Sequence, residues 1–201
     1  MMKRTDTIHA HLKLPEVHTL FVISGPSGSG KTSSIRQVMK NEVISFTTRA
    51  MRVGEQEGVD YVYTTVDEVD RLEAIGELVE RVTYDGNSYG ISKGELYGKL
   101  QHEDAFVVVD YHGYEQIQAL YPNCVSIFFA IDTEDAKNRM LERGDNPATM
   151  SHRLSTYEME LANQVHYDYV LKNEYGKQDE TVKELNQIVE KHRTNSLEKG
   201  A

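Results

Sequence analysis

Residues 25–32 read Gly-Pro-Ser-Gly-Ser-Gly-Lys-Thr, which is the spacing of a glycine, four residues and then Gly-Lys-Thr. The motif follows the apolar run Leu20–Ser24 and opens a segment of helical pattern, as a phosphate-binding loop requires. Its glycines let backbone N–H groups turn toward phosphate oxygens, and the helix N-terminus adds partial positive charge. We therefore predict a nucleoside triphosphate site, in which Lys31 reaches the β- and γ-phosphates and Thr32 places its hydroxyl on Mg²⁺.

A pair of arginines follows a second apolar run. Arg49 and Arg52 lie three residues apart, and Tyr61 comes shortly after them. Two guanidiniums with phenol hydroxyls form a suitable cradle for a phosphate monoester, because arginine pairs bidentately with phosphate oxygens. The same pattern is also compatible with ordinary surface arginines, so the phosphoryl acceptor stays open at this point.

Composition narrows the class of protein and of partner. The chain has 201 residues and a formal net charge of −10, which argues against a protein that coats DNA or an anionic membrane. We expect small-molecule partners, with no nucleic acid and no membrane. The single cysteine, Cys124, fits a buried apolar filler in a reducing compartment, and we predict a cytoplasmic protein. His9 and His11 are interpreted as part of a frayed polar leader.

Short apolar runs alternate with segments of helical periodicity. This alternation predicts an α/β fold with a parallel sheet flanked by helices, and the nearly continuous runs 106–109 and 126–131 indicate strands buried on both faces. The predicted strands are Thr19–Ser24, Glu42–Phe46, Ala105–Asp110, Val125–Asp132 and Tyr167–Asn173. The predicted helices are Lys31–Lys40, Val66–Ile75, Tyr114–Leu120, Thr133–Glu142, Met150–Val165 and Thr181–Lys191. The spacing of Thr65 and Glu68 predicts a capping box at one helix start.

Two segments interrupt this alternation. Between Arg49 and Leu100 the pattern changes to shorter strand-like runs, one short helix and a turn-rich stretch. We predict a small mixed α/β subdomain there, inserted in the core. A polar stretch at 142–147, between two helices, predicts a mobile loop.

Four stretches together resemble the guanylate kinase family. They are the loop at 25–31, Thr-Thr-Arg with Arg-Val-Gly-Glu at 47–55, Gly-Val-Asp-Tyr at 58–61, and Gly-Asn-Ser-Tyr-Gly at 86–90. They stand in the family's order at very similar spacing, and the resemblance runs from about Leu20 to Asn173. It implies ATP-dependent phosphorylation of GMP, and of dGMP, with Mg²⁺ as cofactor, by a monomer or homodimer.

The same resemblance implies a domain organisation. It predicts one guanylate-kinase-like domain over 1–201, in which residues 18–48 and 101–194 form the P-loop core. A GMP-binding subdomain would occupy 49–100, and a lid that closes over the triphosphate would occupy 139–153.

The resemblance also implies roles for individual residues. Those expected to bind ATP are Ser27, Gly28, Ser29, Gly30, Lys31, Thr32, Ser33 and, near the adenine, Asn173. Those expected to bind the GMP phosphate are Arg49, Arg52, Tyr61 and Tyr89, whereas Ser45, Glu80 and Asp110 would read the guanine. The predicted catalytic residues are Lys31, Arg49 and the lid arginines Arg139, Arg143 and Arg153, which would meet charge developing on the transferred group. Carboxylates suit guanine because its N1–H and N2 amine both donate, whereas adenine N1 accepts.

The chain departs from the family pattern at a few positions. Val108 stands where the family has the first of two aspartates, and we hypothesise weaker Mg²⁺ binding or slower turnover as a result. Ile91 stands where a hydroxyl residue assists base recognition, and the adjacent Ser92 faces the opposite way in an extended segment. Met51 and His112 replace a proline and a glutamine.

Two alternatives stay open. One is a kinase of the same fold that acts on another small phosphate acceptor, which the changes at Val108 and Ile91 would allow. The other is a guanylate-kinase-like module that binds a phosphorylated peptide. Such modules typically have an eroded phosphate loop, whereas Lys31 and Thr32 are intact in this chain.

Overall fold

The computed structural model describes residues 18–84, 86–142, 144, 150–151 and 154–199. In this part of the chain the strands are β1 (Leu20–Ser24), β2 (Phe46–Thr47), β3 (Val62–Tyr63), β4 (Leu78–Tyr84), β5 (Asn87–Ser92), β6 (Ala105–Val108), β7 (Val125–Ala130) and β8 (Tyr169–Lys172). The helices are α1 (Lys31–Val38), α2 (Val66–Ala74), α3 (Lys93–Leu100), α4 (Tyr111–Leu120), α5 (Thr133–Glu142), α6 (Tyr157–Ala162) and α7 (Gln178–Lys199), with a 3₁₀ turn at Asn163–His166.

Four strands form a parallel sheet in the order β6-β1-β7-β8. β1 pairs with β6 from Leu20 beside Ala105 and with β7 from Phe21 beside Val125. Every residue of β1 is buried, as a strand covered on both faces requires. The predicted α/β fold, with a parallel sheet flanked by helices, is confirmed.

Alternate side chains of β1 enter two separate cores. Leu20 and Val22 pack with apolar residues of α3 and α4 on one face of the sheet. Phe21 and Ile23 pack with apolar residues of α1 and α7 on the other face. The two helix layers therefore hold the strand that leads directly into the glycine-rich loop.

The second sheet has the order β3-β2-β5-β4 and is mixed. β2 is parallel to β3 and antiparallel to β5, and β4 and β5 form a hairpin in which Tyr84 pairs with Asn87. A mixed unit is what the sequence predicts for residues 49–100, and β2 adds Phe46 and Thr47 from before that range. The domain boundaries themselves stay a prediction.

The strand predicted at Glu42–Phe46 is wrong as a single element. Glu42 forms an isolated bridge with Phe106 beside the parallel sheet, and Val43 N donates to Phe106 O at 2.8 Å. Phe46 already belongs to the second sheet. The chain crosses from one sheet to the other within this apolar run, and local hydrophobicity does not reveal such a crossing.

Helix α3 is absent from the sequence prediction. Gly94 and Gly98 lower its intrinsic helix propensity, yet the helix forms because Ser92 caps it by accepting from Glu95 N at 3.2 Å. The capping box predicted at α2 is half formed. Thr65 Oγ1 accepts from Glu68 N at 3.3 Å, whereas the Glu68 carboxylate pairs with Arg71 instead.

Other helix limits shift from the predicted ones. Helix α4 begins three residues earlier than expected because Asp110 caps it. Of the long helix predicted at Met150–Val165, the structure describes α6 and the following 3₁₀ turn as separate pieces. Among the residues that the structure describes, no helix has both the length and the apolar character needed to cross a membrane.

Candidate active site

The glycine-rich loop lies between the end of β1 and the start of α1. Gly30, the residue before α1, has φ 77, a left-handed conformation that favours glycine. A Cβ at this position would lie 2.5 Å from Asn173 Nδ2 and 3.0 Å from Arg139 Nη1. The loop therefore needs glycine at this position for both its backbone conformation and its packing.

The side chains of Asn173 and Arg139 hold the glycine-rich loop through hydrogen bonds to its backbone. Asn173 is fully buried; its amide nitrogen donates to Ser29 O at 2.7 Å, and its amide oxygen accepts from Thr181 Oγ1 at 3.1 Å. Arg139 donates to Gly28 O at 3.4 Å and to Asn173 O at 3.0 Å. Both residues thus bond loop carbonyls, Asn173 at Ser29 and Arg139 at Gly28.

The residues expected to hold ATP line the loop and the first turns of α1. Lys31 Nζ donates to Pro26 O at 3.3 Å, so the ammonium lies against the loop that would cradle the phosphates. Ser33 Oγ donates to Gly30 O at 2.9 Å. Among the described side chains, the buried hydroxyls of Ser29 and Ser34 have no hydrogen-bond partner.

Arg49, Tyr61 and Tyr89 come together in the second sheet and its loop. The Arg49 guanidinium lies 5.6 Å from the centre of the Tyr61 ring, and the Tyr61 and Tyr89 rings pack edge to face at 5.9 Å. Pairing with Glu55 raises the pKa of Arg49, and burial raises the pKa of Tyr61. The cluster therefore offers one fixed cation and neutral phenols, which are donors suited to a phosphate. Arg52 is exposed on the same loop.

Glu80 and Asp110 form a carboxylate pair from different parts of the fold. Glu80, on β4, is only 6% exposed, and burial together with the charge of Asp110 raises its pKa to about 7. Asp110 caps α4, with Oδ1 accepting from Gly113 N at 2.8 Å. A Cβ at Gly113 would lie 2.8 Å from Glu80 Oε2, so glycine is what lets α4 approach the buried carboxylate.

A cavity of about 220 Å³ joins the two halves of the site. Thr32 of α1 lines it from the phosphate-loop side, and Ser45, Glu55 and Tyr61 line it from the side of the second sheet. A donor phosphate at the loop and an acceptor at the tyrosine cluster would therefore meet across this cavity.

The departures from the family pattern have distinct surroundings. Val108 lines the same cavity as Thr32, where it presents an apolar side chain. Ile91 is fully buried and belongs to the core on the side of α3 and α4. Ser92 Oγ accepts from Glu95 N at 3.2 Å as the cap of α3, so this hydroxyl lies against that helix.

A Mg²⁺ site here would have few protein ligands. Among the described residues, no group of three or more His, Cys, Asp or Glu side chains could hold a metal ion. Mg²⁺ is commonly held by one or two protein oxygens, substrate phosphates and water. The Thr32 hydroxyl beside the loop fits that mode of binding.

Two predicted lid arginines, Arg143 and Arg153, lie outside the described residues. Of the residues that sequence reasoning did not single out, Glu55 and Tyr63 are the most closely involved in the site. Tyr63 OH donates to Glu55 at 2.7 Å, and Glu55 pairs with Arg49. The only sequence signal for Glu55 was its place after Arg52 in the Arg-Val-Gly-Glu segment.

A parallel sheet whose first strand enters a phosphate loop, beside a mixed sheet that carries an arginine and tyrosine cluster, defines a P-loop protein of the nucleotide kinase class. The guanylate kinase family model matches residues 17–192. Guanylate kinase from Alkalilimnicola ehrlichii is 33% identical over 164 residues, covering 78% of this chain and 81% of the relative. Guanylate kinase from Chromohalobacter salexigens is 32% identical over 188 residues, covering 90% of this chain and 86% of the relative.

A solved structure agrees with these sequence comparisons. The crystal structure of guanylate kinase from Anaplasma phagocytophilum superposes with a TM-score of 0.69 at 27% identity, covering 88% of this chain and 86% of that one. The chain belongs to the guanylate kinase family. The resemblance inferred from the sequence motifs is thus confirmed.

Proposed function

We propose that the chain transfers the γ-phosphoryl group of ATP to the phosphate of GMP, giving ADP and GDP, with dGMP as a second acceptor. The observation that carries the proposal is the cavity lined by both Thr32 and Tyr61, because it joins the phosphate loop to the arginine and tyrosine cluster. Family membership supports the same reaction, and the relatives compared above bear the name guanylate kinase.

The donor half of the reaction would use the loop and its support. The backbone N–H groups of the loop and Lys31 would hold the triphosphate, and Thr32 would hold Mg²⁺ through its hydroxyl. When bound, Mg²⁺ would supply positive charge that offsets the negative charge of the triphosphate. Arg139, which is half-buried against Gly28 and Asn173, would keep the loop in position from the lid side.

The acceptor half would use the second sheet. Arg49, Arg52, Tyr61 and Tyr89 would bind the GMP phosphate, because a guanidinium and phenol hydroxyls donate to its oxygens. Glu80 and Asp110 would accept from guanine N1–H and the N2 amine, and Ser45 would also contribute to reading the base. Such a pair would reject adenine, because adenine has an acceptor at N1 and would leave a buried carboxylate unpaired.

The two alternatives from the sequence are not favoured. The family match and the named relatives point to a guanylate kinase rather than to a kinase with another acceptor. The phosphate loop has the lysine and threonine of an active site, which a phosphopeptide-binding module would not require. We further propose a cytoplasmic location, since a single cysteine suits a reducing compartment.

The direct test follows the products by ³¹P NMR in a mixture of ATP, GMP and Mg²⁺. We expect ADP and GDP to form in equal amounts, and Lys31→Ala to lower the rate at least about 100-fold, because a cation at the transferred group is lost. Lys183→Ala, at an exposed position on α7, is the matched control and should retain the full rate. Release of ADP and inorganic phosphate without GDP would contradict the proposal.

A further inference from the structure

Glu55 accepts hydrogen bonds from three residues at the edge of the candidate phosphate site. Its two carboxylate oxygens accept from Arg49 Nη2 at 2.7 and 3.0 Å. Oε2 also accepts from Arg52 N at 2.7 Å and from Tyr63 OH at 2.7 Å. One carboxylate therefore links both arginines of the loop to strand β3.

This pair differs from an ordinary surface ion pair. The Arg49 side chain is 13% exposed and that of Glu55 is 19% exposed. The same guanidinium also donates to Ala50 O at 2.6 Å and lies against the Tyr61 ring. Exposed ion pairs contribute little to stability because ordering two long side chains costs entropy. In this pair, each side chain is already held by other contacts.

The charge of Glu55 persists over the pH range in which kinases work. Its bonds from Arg49 and Tyr63 lower the pKa of the Glu55 carboxyl to about 2. A guanidinium has five N–H donors, more than the contacts to Ala50 and Glu55 use. Arg49 can therefore remain paired with Glu55 while it donates to a ligand.

We propose that Glu55 is the positioning residue for Arg49: it fixes the guanidinium in the orientation that binds the phosphate of GMP. The inference rests on the proposed function. The contrary role, in which Glu55 occupies the phosphate's place and must be displaced, predicts an effect of opposite sign. Anchoring of Glu55 by Arg52 N and Tyr63 OH favours positioning, because a displaced carboxylate would lose those bonds too.

The test measures equilibrium binding of GMP and of guanosine by calorimetry, without ATP. Guanosine shares the base and sugar but lacks the phosphate, so the ratio of the two dissociation constants reports the phosphate contacts alone. The variant is Glu55→Gln, which keeps the shape and removes the charge. The matched control is Glu57→Gln on the same loop, an exposed residue whose carboxylate accepts from the backbone Tyr63 N at 3.1 Å.

We expect Glu55→Gln to weaken GMP about tenfold or more, as loss of a charged hydrogen-bond partner does, and to leave guanosine unchanged. Glu57→Gln should change neither. Unchanged or tighter GMP binding by Glu55→Gln would overturn the inference, and so would equal weakening of both ligands, which indicates a merely structural role. The parent protein is measured first. If it bound GMP no better than guanosine, the proposed function itself would fail.

A second variant covers the case in which Glu55→Gln does not fold. Tyr63→Phe removes one donor to Glu55 and leaves the Arg49 pair in place. Positioning predicts a smaller loss of GMP affinity of about two- to fivefold, again with guanosine unchanged. An unaltered GMP to guanosine ratio in this variant would count against Glu55 as the positioning residue.

Discussion

Glu80 combines a cost in stability with a chemical purpose. Because burial and Asp110 raise its pKa to about 7, folding disfavours its ionised form. The folded protein holds the proton more tightly than the unfolded chain, so this residue's contribution to stability falls as pH rises from about 4.5 to 7. Guanine needs the ionised form, since its N1–H and N2 amine require acceptors. If Glu80 binds guanine as proposed, a charge that is unfavourable in the free protein would become favourable once the base donates to it.

GMP affinity should therefore depend on pH. Raising the pH from 6 to 8 is expected to lower KM for GMP as Glu80 ionises, in steady-state assays at saturating ATP. The phosphate of GMP also titrates near pH 6. Glu80→Gln separates the titration of Glu80 from that of the GMP phosphate, because only the phosphate still titrates in this variant. Its KM should therefore depend less on pH and be about 10- to 100-fold higher than that of the parent protein at pH 8.

The Glu80→Gln variant should also differ from the parent protein in its stability to unfolding. Removing the buried charge should raise the free energy of unfolding at pH 8 by on the order of 3 kcal/mol and change it little at pH 5. A variant that unfolds more easily at pH 8 would show that Glu80 makes stabilising contacts in its charged form. A pH profile identical to that of the parent protein would remove Glu80 from the guanine site.

A substitution at Val108 tests how the proposed site binds Mg²⁺. Val108→Asp would place a carboxylate in the cavity that Thr32 lines, where Mg²⁺ prefers oxygen ligands. We expect the Mg²⁺ concentration for half-maximal rate to fall several-fold, measured at fixed ATP. Val108→Asn is the neutral control of similar size and should give a smaller shift. An unchanged Mg²⁺ requirement in the aspartate variant would show that Val108 does not limit metal binding.

The elements around the phosphate loop explain how a glycine-rich segment keeps one conformation. Strand β1 is held by two helix layers, and strand β8 leads into Asn173, whose amide bonds Ser29 O. Both polar groups of that amide are engaged within the protein. The structure thus gives Asn173 a supporting role, and its predicted adenine contact stays a prediction.

Asn173→Ala distinguishes these two roles. Loss of the support should raise KM similarly for ATP and for donors with another base, such as GTP, and should lower the melting temperature because Ser29 O and Thr181 lose a buried partner. An adenine contact predicts a loss for ATP alone. Thr181→Val removes the other bond to the amide, and should reproduce part of the effect on both donors. An effect confined to ATP would contradict the supporting role.

Sequence reasoning was most successful where chemistry and local pattern coincide. The phosphate loop was predictable because a strand, glycines, Lys31 and a helix stand in one short segment. Helix α3 was not, because Gly94 and Gly98 weaken its pattern and tertiary packing overrides propensity. The change of sheet after Glu42 depends on Phe106, which is distant in sequence, and the ion pair of Glu55 depends on how its loop folds back onto Arg49. Hydrophobic periodicity reports neither.

In the whole molecule, Thr32 and Val108 from the side of the parallel sheet and Ser45 and Tyr61 from the side of the mixed sheet line one cavity. The parallel sheet supplies the phosphate loop and Asp110, and the mixed sheet supplies Glu80 and the tyrosine cluster. Neither sheet alone carries both the proposed donor residues and the proposed acceptor residues. We propose that this junction of the two sheets selects guanine among phosphoryl acceptors.

A comparison of phosphoryl acceptors is the most direct test of this selectivity for guanine. ADP release from ATP and Mg²⁺ is followed in parallel with GMP, dGMP, AMP, CMP, UMP and no acceptor. We predict turnover with GMP and dGMP, and kcat/KM at least about 100-fold lower for the other three nucleotides, because none of their bases offers the two adjacent donors of guanine. Comparable turnover with AMP, CMP or UMP, or none with GMP, would contradict the account.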